Sequence, residues 1–167
     1  LLSLALANPF DMNDAGIVLD IPGWEGIHWS DWDFKGRNND GPMAVSVWYT
    51  AFQVESTEEV ARAQAMLYRS QLENTEHAKN VRMEEAVVQE IQGRTTSLLT
   101  LRFNFDRVGA RGVLYGASFA GEGKVIHISV YGPAEAEKKL ANARTQILEH
   151  LKQTKPPATV NSGPLLA

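Results

Sequence analysis

Residues 82–131 read RMEEAVVQEIQGRTTSLLTLRFNFDRVGARGVLYGASFAGEGKVIHISVY, and the fold is decided in this stretch. Strand-like runs follow one another at 82–92, 94–105, 109–119 and 124–131, separated by turn material at Gly93, 106–108 and Gly121-Glu122-Gly123. Connections this short join antiparallel neighbours, because a parallel pair needs a crossover of roughly a dozen residues or more. In 94–105, Leu99, Leu101, Phe103 and Phe105 share one face; in 124–131, Ile126, Ile128 and Val130 alternate with Val125, His127, Ser129 and Tyr131. Gly132-Pro133 ends the run, and Pro133 suits the first turn of a helix. Leu140, Ala143, Ile147, Leu148 and Leu151 then recur at helical spacing through 134–153.

Working upstream, GIVLDI at 16–21 is a short β-branched strand stopped by Pro22-Gly23. Trp24-Glu25-Gly26 reads as a turn, and 27–35 as one alternating strand with Ile27, Trp29, Asp31 and Asp33 opposite His28, Ser30, Trp32 and Phe34. Residues 36–42 carry the strongest turn signal, with Asp40-Gly41 at its centre, and 43–54 reads as a further strand. Ser56-Thr57-Glu58-Glu59 is a capping box that opens a helix over 57–72, with Val60, Ala63, Met66 and Leu67 as its apolar stripe. Strands, a helix, more strands and a second helix imply an α+β domain, an antiparallel sheet of about seven strands flanked by two main helices.

The composition bounds the function. A chain of 167 residues with 44% hydrophobic and 22% charged residues is one ordinary globular domain. The net charge of −4, with Lys and Arg scattered rather than clustered, argues against a nucleic-acid partner or an anionic membrane surface. The absence of cysteine removes disulfides, a thiol nucleophile and Cys-ligated zinc. LLSLALA at 1–7 has the apolar character and small-x-small ending of a signal-peptide tail, with cleavage expected after Ala7. The expected organisation is a signal remnant at 1–7, a single domain at 8–153 and a loose Pro-containing tail at 154–167. An exported protein, periplasmic or secreted, is the corresponding expectation for localisation.

The order of elements resembles the PsbP-like family, which includes the photosystem II extrinsic protein and the Ran-binding Mog type. GIVLDIPGW at 16–24 resembles that family's opening strand, the helix begun at Ser56 follows an N-terminal hairpin, and 87–151 resembles its closing meander and final helix. The resemblance implies an α/β/α sandwich and a role in binding or assisting other proteins, with no shared catalytic residues to carry over.

Candidate chemistry is sparse. Asp31-x-Asp33-x-Lys35-Gly36 begins like a calcium loop, but Lys35 stands where an oxygen ligand belongs and Pro42 where the bidentate Glu belongs. Asp31, Asp33 and Asp40, with Asn39, remain as a loose cation site. The histidines His28, His77, His127 and His150 lack ligand spacing, and there is no nucleophile elbow, phosphate loop or cofactor motif. The aromatic group stands out: Trp24, Trp29, Trp32, Phe34, Trp48 and Tyr49 fall in one region, and alternation lets only one of Trp29 and Trp32 face the core. Burial of both under helices on both sheet faces is the bland expectation; an exposed aromatic patch for a ligand or partner is the functional one.

These readings converge on a non-enzymatic exported accessory domain with a protein partner, associated with a membrane only through that partner. Its binding candidates are Trp24, Trp29, Trp32, Trp48, Tyr49 and His127. One alternative is a small-molecule-binding protein or enzyme with an apolar pocket between sheet and helix near Trp29, Trp48 and His127. Another is a chaperone-like module for apolar client segments.

Overall fold

A computed structural model describes residues 9–38, 41–50, 57–74, 77–84, 86–105 and 109–155. Its strands are β1 (Phe10–Met12), β2 (Ile17–Leu19), β3 (Trp24–Trp29), β4 (Asp33–Asn38), β5 (Ala44–Thr50), β6 (Ala78–Met83), β7 (Val87–Ile91), β8 (Arg94–Phe105), β9 (Arg111–Gly121), β10 (Lys124–Pro133) and β11 (Leu151–Gln153). Helix α1 spans Thr57–Asn74; α2 spans Glu137–His150, preceded by a 3-10 turn at Ala134–Ala136. Among the described residues, no helix is long and apolar enough to cross a membrane.

The meander at the heart of the sequence forms as expected. β8, β9 and β10 pair antiparallel in sequence order, and β10 then pairs with β5. The large sheet has eight strands, ordered β3-β4-β5-β10-β9-β8-β6, with β7 also on β8. The helices take opposite faces: α1 lies on β6, β8, β9 and β10, and α2 on β9 and β10. This is an α+β sandwich with a helix on each side. The period-2 pattern of β10 explains why: Ile126, Ile128 and Val130 join the core beneath α2, and His127, Ser129 and Tyr131 turn toward α1.

Four expectations are corrected. The 16–21 segment does not join the large sheet; β2 sits between β1 and β11 in a separate three-stranded sheet. The 134–153 helix stops at His150, because Leu151 turns extended and pairs with Leu19. The 82–92 run is two strands laid end to end along β8, the first ending at Met83 and the second beginning at Val87; between them Glu84 still donates its backbone N–H to Thr100 carbonyl at 2.9 Å, and its side chain accepts from Arg102 Nε at 2.8 Å. The 27–35 run is a hairpin, and Trp24-Glu25-Gly26 is the start of β3 rather than a turn. The reversal is made by Ser30, whose hydroxyl accepts from the backbone N–H groups of Trp32 and Asp33, both at 3.2 Å, in place of ladder bonds.

The expected cap Ser56, the loop residues Asn39 and Asp40, the segment 1–8 and the tail from 156 lie outside the described residues. Thr154 and Lys155 continue past β11 with their backbone N–H groups donating to Gly16 carbonyl, at 2.8 and 3.3 Å. Gly16 itself adopts φ +72, and a Cβ there would stand 2.8 Å from Lys155 Cβ, so the site needs glycine twice over.

Candidate functional site

The face of the sheet beneath α1 is unusually polar. Helix residues Val60, Gln64, Tyr68 and Leu72, four apart, are the ones it buries. The expected stripe placed Met66 there instead, yet Met66 is 74% exposed. Hydropathy favoured Met66; the partners waiting on the sheet favour Gln64 and Tyr68. Gln64 Nε2 donates to Ser97 carbonyl at 3.1 Å, and Ser97 Oγ donates back to Gln64 Oε1 at 2.9 Å. Tyr68 lays its ring over Gly116, where a Cβ would meet Tyr68 Cε2 at 2.3 Å. The Tyr68 hydroxyl accepts from Ala117 N–H at 3.2 Å, and its proton lies between the carbonyls of Ala117, at 3.0 Å, and Ile128. Burial raises the Tyr68 phenol well above its usual range, so it stays neutral.

His127 is the neighbouring member of this layer. Ser118 Oγ lies 2.7 Å from its Nδ1 and Thr50 Oγ1 lies 3.1 Å from its Nε2. Hydroxyls serve as donor or acceptor, so either neutral tautomer is satisfied. Burial pulls the His127 pKa from 6.5 down to about 4. A Ser-His contact suggests a catalytic pair, but both side chains are fully buried and closed off from solvent. Trp48 covers the imidazole at 5.5 Å between centroids and meets Tyr68 edge-on at 5.4 Å.

The aromatic candidates therefore separate. Trp24 is buried in the core on the α2 side. Trp29 and Trp48 point to opposite faces, because their cross-strand partners Phe34 and Asp33 are adjacent on β4. Trp29 packs edge-on against Phe10 and donates from Nε1 to Asp11 carbonyl at 2.8 Å, yet remains 51% exposed. Trp32, at the hairpin tip, is 66% exposed. The expectation that helices bury both is overturned: β3 is a terminal strand, and neither helix extends over it. Tyr49 is half-buried on the face opposite Trp48, with Lys124 Nζ 5.3 Å from its ring centroid.

The acidic candidates also separate. Asp31 is exposed; Asp33 Oδ1 accepts from Ser30 Oγ at 2.9 Å and lies 2.9 Å from His28 Nε2. Asp40 is outside the described residues. Among the described residues, no group of three or more acidic or histidine side chains converges to hold a metal ion.

Two hollows adjoin Trp48. One, of about 320 Å³, opens between the C-terminal half of α1 and strands β4, β5 and β10, with Trp48, Leu67 and Gln71 among its walls. The other, a shallow depression of about 630 Å³, lies between Trp32 and Trp48 on the far side of Asp33. His127 and Trp29 border neither. The sequence reading missed Gln64, Tyr68, Gln71, Ser118 and Thr50; the serines at 46, 97, 118 and 129, all on the inner face of paired strands, were the available signal.

The fold is that of the PsbP-like proteins. Among solved structures, the chain is similar to cyanobacterial PsbP (CyanoP) from Synechocystis sp. PCC 6803, with a TM-score of 0.64 and 13% identity over 87% of this chain and 91% of that one. It is also similar to a protein of Bacteroides thetaiotaomicron VPI-5482, with a TM-score of 0.60 and 13% identity over 89% of this chain and 48% of the other. LpqN of Mycobacterium tuberculosis, described as involved in cell envelope biogenesis, gives a TM-score of 0.54 and 13% identity over 87% of this chain and 88% of its own. No family model matches the chain, and no curated protein matches it in sequence.

Proposed function

We propose that this chain is an exported accessory domain that binds another protein through the edge of β3, unpaired among the described residues, and the hairpin tip beyond it. The observation that carries the reading is the exposure there of Ile27 (64%), Trp29 (51%) and Trp32 (66%). Ile27 sits at a register shift between Gly26 and His28, so the strand edge is bulged as well as apolar. An extended segment of a partner adds to such an edge through backbone hydrogen bonds, and aromatic anchors give it affinity and register. A bulge and a nearby Glu25–Arg37 ion pair, 3.3 Å apart, guard the same edge against indiscriminate pairing. The signal-like start at 1–7 and the involvement of LpqN in cell envelope biogenesis support export and an envelope setting, with any membrane contact made through the partner.

The test is site-specific photocrosslinking in cells of the natural host, with the crosslinker at Ile27 or at Met66. Position 27 is expected to yield a discrete protein adduct, reproduced with the purified partner and lost on Trp32→Ala. Position 66, on the outer surface of α1, is expected to yield none. No adduct at 27, or the same adducts from both positions, would overturn the proposal.

A further inference from the structure

We infer that the depression of about 630 Å³ between Trp32 and Trp48 is a binding site for a small quaternary ammonium cation of the choline type. The inference needs no protein partner at the β3 edge, although Trp32 belongs to both surfaces. Strand β4 begins at Asp33, opposite Trp48, so Tyr49 and Thr50 of β5 run on with no β4 residue beside them. The notch this leaves is walled by Trp48 and Tyr49 of β5 and by Ser30, Trp32 and Asp33 of the hairpin.

Three features of these walls define the occupant. The first is the rings. Two indoles and a phenol line the notch, and the faces of such rings attract a cation through their quadrupoles, tryptophan most strongly. Trp48 meets Tyr68 edge-on and lies tilted against His127, so its indole is in place before a ligand arrives. Tyr49 already draws a cation, with Lys124 Nζ 5.3 Å from its ring centroid. The second feature is charge. Among the described residues, the walls include the carboxylate of Asp33 and no lysine or arginine. Ser30 Oγ and His28 Nε2 both meet Asp33 at Oδ1, each at 2.9 Å, which orients the carboxylate and leaves its charge in place. Lys35 borders the neighbouring hollow instead, and Lys124 Nζ donates to Glu122 carbonyl at 3.3 Å. Burial, and after it the charge of Asp14, raise the Tyr49 phenol above its usual range, so a second acid acts on this wall against Lys124. The third feature is a shortage of acceptors. The Ser30 hydroxyl is engaged by Asp33 and by the turn backbone. A primary ammonium has three N–H groups to satisfy, and a metal ion asks for several oxygens. A quaternary ammonium has no N–H at all; its methyl groups pack on the rings while its charge faces Asp33.

Choline, its neutral carbon isostere 3,3-dimethylbutan-1-ol and ethanolamine separate these features. Titrations at constant ionic strength, followed by tryptophan fluorescence and indole N–H NMR signals, are expected to show choline shifting Trp32 and Trp48 together. Choline is expected to bind about fivefold or more tightly than either of the other two. Asp33→Asn keeps an acceptor for the Ser30 hydroxyl; it is expected to weaken choline about fivefold and to leave the neutral alcohol unchanged. Phosphatidylcholine carries the same trimethylammonium head, so flotation with phosphatidylcholine vesicles, against phosphatidylglycerol vesicles, tells the two sources apart. Capture by the former alone assigns the site to a lipid headgroup; choline binding without capture assigns it to the free molecule. The inference is overturned if choline at roughly 50 mM moves neither indole signal, or if either other probe binds as tightly. It is equally overturned if a folded Asp33→Asn chain keeps the native preference for choline over the alcohol. Where that variant fails to fold, the comparison of probes on the native chain decides the matter.

Discussion

Burial holds His127 neutral, and this gives the fold a defined acid sensitivity. With a pKa near 6.5 unfolded and about 4 folded, the unfolded chain binds the extra proton between those values. Stability therefore rises with pH across that window and is lost as pH falls through it, by about 3 kcal/mol once both states are fully protonated. Thermal melts from pH 7 to pH 4 are expected to show this loss, and His127→Gln is expected to flatten it; an unchanged pH profile in the variant would contradict the assignment. Trp29 shows the same dependence on surroundings from the other side. Its residue type was legible, but its exposure depended on where the helices ended, which alternation along a strand does not record. Likewise His127 was legible as a strand residue, yet its partners Thr50 and Ser118 come from strands 77 and 9 residues away.

Helix α1 is seated by a slot rather than by a greasy stripe. Gly116 leaves room on β9 for the Tyr68 ring, and the ring in turn carries the hydroxyl to the β9–β10 ladder. Gly116→Ala drives a methyl to within 2.3 Å of that ring, which a packed interface relieves only by lifting the helix. The expected cost is about 2–4 kcal/mol, seen as a lower denaturation midpoint with an unchanged slope. Tyr68 and Trp48 signals should shift most in the NMR spectrum. At this scale the sequence was legible where strands are long and periodic, as in β8, β9 and β10. It was not where a side chain substitutes for the backbone, as Ser30 does in the β3–β4 turn. The helix face was misread because a scale that scores Met above Gln and Tyr sees the residue and not the partner it will meet.

Across the whole molecule, one sheet separates two unlike interiors. The α2 side is built from aliphatic and aromatic side chains and is continuous with the small β1-β2-β11 sheet; the α1 side mixes leucine and phenylalanine with hydroxyls, amide and imidazole. The layer order was legible from the sequence of element types, but the small sheet was not, since its strands are three residues each and β11 lies far along the chain from β1 and β2. Leu151 ties that sheet to α2, and Leu151→Ala is expected to cost about 2–4 kcal/mol. Hydrogen exchange should quicken in β1 and β2 ahead of β8–β10; uniform quickening would mean that the small sheet is not a separable unit. The pairing of β2 with β11 also bears on synthesis. Ile17–Leu19 leaves the ribosome long before Leu151–Gln153 exists, so the nascent chain carries an open apolar ribbon through most of translation. Closure of that ribbon is the last stitch, and any chaperone that meets the nascent chain does so before it is made.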